Sequence, residues 1–180
     1  MSRVAKKMEP EKAEAFIAGA LGNISYETDL AASVATTDLA IEAVVENMAL
    51  KQKLFVDMEN NSPAGALLAT NTSSLPISQI AVNLKNPEFF GGLHFFNPVP
   101  MMRLLEVIKA EQTSQETFEK MVSWGAQMKK TTVRCIDTPG FIVNRLLIPY
   151  MLEAVRLYER GHASKEDIGE FNDLQKFCQI

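Results

Sequence analysis

Gly91-Gly92-Leu93-His94-Phe95-Phe96-Asn97-Pro98-Val99-Pro100 reads as a buried apolar strand that carries one histidine near its end and is then forced out of the sheet. Phe89, Phe90, Leu93, Phe95 and Phe96 supply the apolar character. Pro98 and Pro100 cannot donate to a sheet ladder, and each pushes the residue before it out of helix. Twelve positions after His94, Glu106 stands alone among apolar neighbours in Leu104-Leu105-Glu106-Val107-Ile108, a second short strand. A carboxylate in such a run is costly without a partner, and a histidine is the obvious one.

A His–carboxylate dyad has a clear chemical use. Imidazole titrates near neutral pH, and a carboxylate on one ring nitrogen fixes the tautomer and stabilises the charged ring, leaving the other nitrogen to move a proton. From spacing alone, a satisfied core histidine and a strand-surface glutamate account for these residues equally well.

Working outward, the chain alternates strands and helices. Met1 to Ala20 has helical periodicity with a stop at Gly22-Asn23. Asn23 to Thr28 is expected as a short strand, Asp29 to Val34 as a brief helix, and Leu39 to Glu46 as an apolar strand suited to a parallel sheet. Ala49 to Glu59 then forms an amphipathic helix with Leu50, Leu54, Phe55 and Met58 inward. Gly65 to Ala69 is a second apolar strand, Thr70 to Ser74 a polar break at its end, and Pro76 to Val82 a short helix with proline early. In open α/β sheets ligands sit beyond the carboxyl ends of strands, where Glu46, Lys51, Ser73 and Ser74 fall, although N-capping accounts for the serines as well.

Beyond the dyad, Thr113 to Met128 is an amphipathic helix with Thr113 and Glu116 at capping-box spacing, and Trp124 and Met128 are expected to pack on the sheet. Thr131 to Ile136 alternates as a strand. Asp137-Thr138-Pro139-Gly140 is a turn, after which the composition changes. Phe141 to Arg160 reads as a long, mostly buried helix kinked by Pro149 and closed by Gly161, and Ser164 with Asp167 starts another. The fold expected is α/β, a partial Rossmann-like, doubly wound, mostly parallel sheet over residues 1–139, followed by the start of an all-helical domain over 140–180.

Composition excludes several functions. With 180 residues, 47% of them hydrophobic, the chain can bury a core. A formal net charge of −4 argues against nucleic-acid binding, and the one basic cluster is Arg3, Lys6 and Lys7. Cys135 and Cys178 form neither a metal-ligand spacing nor a disulfide framework. The most apolar run, Phe141 to Leu157, carries Arg145, Glu153 and Arg156, so no membrane span is expected.

Four segments in order, Asn71-Thr72-Ser73-Ser74-Leu75, Gly92 to Pro100, Leu105-Glu106-Val107-Ile108 and Asp137-Thr138-Pro139-Gly140-Phe141-Ile142-Val143-Asn144-Arg145, resemble the L-3-hydroxyacyl-CoA dehydrogenase family. The likeness runs from about Arg3 to Ile168. It implies NAD-dependent oxidation of an L-3-hydroxyacyl-CoA to the 3-ketoacyl-CoA in fatty-acid β-oxidation. His94 would be the general acid/base and Glu106 its orienter. Ser73 and Asn144 would bind the substrate oxygen, Glu46, Lys51, Ser73 and Asn97 would contact the NAD cofactor, and Lys7 would meet the phosphates of coenzyme A. The resemblance further implies a homodimer and the mitochondrial matrix, although no import signal is visible. The related hydroxyacid and sugar-acid dehydrogenases differ in substrate only, and Pro98 to Ile108 resembles the acyl-CoA branch.

The family's Gly-x-Gly-x-x-Gly phosphate turn does not occur in these 180 residues, and the tail from about 169 departs from the family. The chain is therefore expected to be shortened at both ends, with open sheet edges that favour self-association. A non-catalytic fragment that binds acyl-CoA or pairs with intact subunits is the rival reading.

Overall fold

The computed structural model describes residues 9–175, so Lys7, the rest of the basic cluster and Cys178 lie outside the described residues. The chain runs α1 (Pro10–Gly22), α2 (Leu30–Val34), β1 (Leu39–Glu42), α3 (Met48–Asn61), β2 (Leu67–Thr70), α4 (Ile77–Ile80), β3 (Phe90–Phe95), β4 (Leu104–Lys109), α5 (Gln115–Gln127), β5 (Thr131–Ile136), α6 (Val143–Glu159) and α7 (Lys165–Gln175). The strands form one sheet in chain order. β1, β2 and β3 are parallel, β4 runs antiparallel to β3, and β5 is parallel to β4.

That single reversal sets the layering. Strand–helix–strand crossovers are right-handed, so crossovers stepping the same way along a sheet put their helices on opposite faces once strand direction inverts. Phe55 and Met58 of α3, with Ile77 and Ile80 of α4, accordingly pack on Ala40, Leu68, Phe90 and Ile108. On the other face, Phe118 and Met121 of α5 cover Leu67, Ala69, Leu93, Leu105 and Val107. The doubly wound sheet is thus present, with a core on each side.

Several local expectations are corrected by side-chain hydrogen bonding. Asn23–Thr28 is not a strand; the Glu27 carboxylate accepts from the Thr28 and Asp29 amides, and no neighbouring strand pairs with it. β1 ends at Glu42, four residues early, because the Glu42 carboxylate folds back onto the Val44 amide at 2.6 Å. In α3, Leu54, Phe55 and Met58 face inward as expected, but Leu50 points outward and Lys51 is buried. The cap of α5 is Ser114, whose hydroxyl accepts from the Thr117 amide at 3.0 Å; Thr113 instead donates to the Phe90 carbonyl at 2.7 Å and accepts from the Ala110 amide. Trp124 is only half-buried and Met128 exposed, so Phe118, Met121 and Gly125 make the packing face. Ser164 does cap α7, accepting from the Asp167 amide at 3.0 Å.

α6 departs most. It contains Pro149, as expected, but none of its residues is buried, and Leu146, Leu147, Ile148, Met151, Leu152 and Val155 are all exposed. Among the described residues, no helix is long and apolar enough to cross a membrane.

Candidate active site

Sheet register brings the two ionisable strand residues together. His94 of β3 is the direct cross-strand neighbour of Glu106 of β4, so both side chains project from the α3 face of the sheet. His94 Nδ1–H donates to Glu106 Oε2 at 2.7 Å, and the glutamate is fully buried. A carboxylate accepts and never donates, so this bond sets the ring tautomer and leaves Nε2 as the acceptor.

Glu106 is held from its other side by the chain that enters α6. Oε1 accepts from the Ile142 amide at 2.9 Å and the Val143 amide at 2.8 Å, two donors with no partner inside the helix. The entry bend puts Gly140 at φ +79° and Phe141 at φ +48°, the left-handed region, and a Cβ on Gly140 would lie 2.8 Å from the Arg145 nitrogen. Phe141 is buried with its ring centroid 5.7 Å from that of His94, and Phe96 lies at 4.5 Å. Two aromatic rings therefore lie close to the imidazole, whose Nε2 edge is left facing a polar group.

That edge meets the turn after β2. The Ser73 hydroxyl lies 3.1 Å from His94 Nε2, and Asn144 Nδ2 donates to the Ser73 carbonyl at 3.1 Å. The turn is pinned twice more: Asn71 Oδ1 accepts from the Phe95 amide at 2.8 Å, and Glu46 accepts from the Thr72 hydroxyl at 2.9 Å and the Ser73 amide at 2.8 Å. Burial alone would push the Glu46 carboxyl up, but the bonds from Ser73, Thr72 and Lys51 outweigh it and hold the group below the ordinary carboxylate range.

The structure therefore gathers His94, Glu106, Ser73 and Asn144 at one point, with Glu46 beside them. Lys51 sits behind Glu46, buried, with its ammonium turned to Glu42 at 2.6 Å. Asn97 is exposed just past the end of β3. Sequence reasoning missed Glu42, a lone acid at the end of apolar β1 that is 3% exposed. The signal available was the one used for Glu106, a carboxylate in an apolar run. Cys135 of β5 lies near by, but burial, Glu106 and Asp137 push its thiol up to about 12. Such a thiol is inert near neutral pH.

Residues 1–138 match the family model described as "3-hydroxyacyl-CoA dehydrogenase, NAD binding domain", and residues 140–174 match its "C-terminal domain" counterpart. The chain belongs to the 3-hydroxyacyl-CoA dehydrogenase family. Among family members, a probable 3-hydroxyacyl-CoA dehydrogenase of Caenorhabditis elegans is 53% identical over 171 residues, which cover 93% of this chain and 55% of the relative. The hydroxyacyl-coenzyme A dehydrogenase of Rattus norvegicus, named mitochondrial, is 51% identical over 93% of this chain and 54% of its own length. The chain thus spans about 55% of the curated 3-hydroxyacyl-CoA dehydrogenases it matches. The crystal structure of 3-hydroxybutyryl-CoA dehydrogenase from Escherichia coli superposes with a TM-score of 0.83 at 42% identity, covering 91% of this chain and 34% of that one. The Rossmann-like sheet is therefore the family's fold.

Proposed function

We propose that this chain carries the proton-transfer site of an NAD-dependent dehydrogenase that oxidises an L-3-hydroxyacyl-CoA to the 3-ketoacyl-CoA. One observation carries the reading: His94 has Nδ1 on a buried carboxylate and Nε2 on the Ser73 hydroxyl, at the open end of the sheet. His94 Nε2 takes the proton of the substrate's C3 hydroxyl. Glu106 keeps the imidazole in the accepting tautomer and balances the charge it gains. Ser73 and Asn144 orient the reacting oxygen.

The residues fit one end of the cofactor. Asn97 offers an exposed amide, Glu46 a half-exposed carboxylate whose side chain is 40% accessible, and both lie beyond the carboxyl ends of parallel strands. Ser73, Glu46 and Asn97 would hold the nicotinamide and its ribose, with Lys51 supporting Glu46 from behind. Bound there, NAD supplies the acceptor for the C3 hydrogen as hydride. Residues for the pyrophosphate are not among those described. We assign the NAD-binding part to residues 1–139 and the helical part from 140 onward. Relatives named mitochondrial support a mitochondrial setting, and by resemblance the reading extends to the matrix, a homodimer and coenzyme A contact through Lys7.

A non-catalytic acyl-CoA binder or subunit partner is the second reading, since the chain spans about 55% of the length of the relatives it matches. Titration of the chain with NADH, with and without acetoacetyl-CoA, separates the two. Binding that tightens with acyl-CoA, with turnover lowered about 10²–10⁴-fold by His94→Gln, is expected of the dehydrogenase. A His94→Gln loss under about tenfold would remove the general-base role. No NADH binding by the folded chain would leave the second reading.

A further inference from the structure

Behind the turn that carries Ser73 lies a set of charges with no part in the proton transfer. Glu42 of β1 is 3% exposed and Lys51 of α3 is 1% exposed. Lys51 Nζ donates to Glu42 Oε1 at 2.6 Å and to the Val44 carbonyl at 3.3 Å, and lies 3.3 Å from Glu46 Oε2. These contacts tie the ammonium to Glu42, the Val44 carbonyl and Glu46. Glu42 is equally committed: its Oε2 accepts from the Thr70 hydroxyl at 2.7 Å and its Oε1 from the Val44 amide at 2.6 Å. The connection continues through Glu46 to the Thr72 hydroxyl and the Ser73 amide, and so to the residue whose hydroxyl meets His94 Nε2.

Buried ion pairs are poor sources of net stability, because desolvation offsets most of the attraction, and apolar side chains of similar volume often do as well. The use of this one is therefore to be sought in position. Glu46 is the weak link, since its carboxylate is partly exposed and would gain hydration by swinging outward. The Lys51 charge holds it in.

We propose that Glu42 and Lys51 are positioning residues: with Glu46 they form a buried charged brace that fixes the Thr72–Ser73 turn and keeps the Ser73 hydroxyl against His94 Nε2. The brace acts on His94 through three linked contacts and touches no substrate. Only its effect on rate rests on the dehydrogenase reading.

The test uses the full chain labelled with ¹⁵N-histidine. His94 and His162 are the two histidines, and loss of one signal in His94→Gln assigns them. Ser73→Ala marks where the His94 Nε2 resonance falls without its hydroxyl partner. The double variant Glu42→Gln/Lys51→Met removes both buried charges at nearly constant volume. It is expected to melt close to the wild type while its Nε2 resonance moves to the Ser73→Ala position. Glu46→Gln, at a partly exposed site, cuts the brace from the turn without disturbing the buried pair and is expected to move the resonance the same way. In the turnover assay both variants should lose about 10²-fold, carried by kcat, as a misplacement of about 1 Å does.

An Nε2 resonance unmoved in a folded double variant, or in Glu46→Gln, overturns the proposal. Should the double variant not fold, Glu46→Gln decides it alone. A wild-type chain without turnover would sink the dehydrogenase reading and leave the resonance to decide the brace.

Discussion

At His94 the two ring nitrogens face unlike partners, a buried carboxylate that only accepts and a hydroxyl that adapts to either role. Glu106→Gln keeps the shape but offers an amide N–H₂ where an acceptor stood, so Nδ1 becomes the acceptor and the ring flips to the wrong tautomer. A loss of about 10²–10⁴-fold in kcat is expected, with the folded state retained in circular dichroism. Glu46 predicts a pH effect. Its folded-state pKa is lowered, so its contribution to stability is present above the ordinary carboxylate range and is lost as pH falls through the lowered value. Thermal melts from neutral to acid pH should therefore decline less steeply in Glu46→Gln than in the wild type. Cys135, with its thiol pushed up to about 12, should stay unmodified by iodoacetamide at neutral pH until the chain unfolds, as read by mass spectrometry. His94 and Glu106 were legible because an ionisable group in an apolar run has to be explained. The Glu42–Lys51 pair was not, because its members sit on a strand and a helix, and the resemblance directs Lys51 to the cofactor rather than to Glu42. Only the packing of α3 on the sheet turns it inward.

At the scale of elements, strands and helices were read by period, and their ends were missed wherever a side chain took over a backbone partner. Thr113 and Ser114 illustrate it. Both can cap a helix, and the choice is made by the Phe90 carbonyl, which captures the Thr113 hydroxyl. Ser114→Ala should cost about 1 kcal/mol in urea unfolding as a lost cap, whereas Thr113→Ala strands a buried carbonyl and amide and should cost about 1–3 kcal/mol. Gly125 was unremarked in the sequence, yet a Cβ there would run into Thr132 of β5 and lie 2.8 Å from Leu105 of β4. Gly125→Ala is expected to destabilise by about 1–3 kcal/mol through overpacking, seen as a lower urea midpoint.

For the molecule as a whole, the doubly wound plan was legible from the alternation of apolar strands and amphipathic helices. The burial of α6 was not, since an apolar helix states only that something covers it. The residues described here leave its face open. Sedimentation should show association that weakens when Leu152 and Val155 are both changed to lysine, with the melting of the sheet unaffected. The β3–β4 register reaches further than geometry. Side chains alternate between faces, so a slip of one residue would carry Glu106 into the α5 core and set Leu105 or Val107 against His94. The alignment that buries the aliphatic residues is the same one that joins imidazole to carboxylate. Selection for a foldable sheet thus guards the chemistry at no added cost, and a lineage that drifted away from catalysis would keep the pair for as long as it kept the sheet.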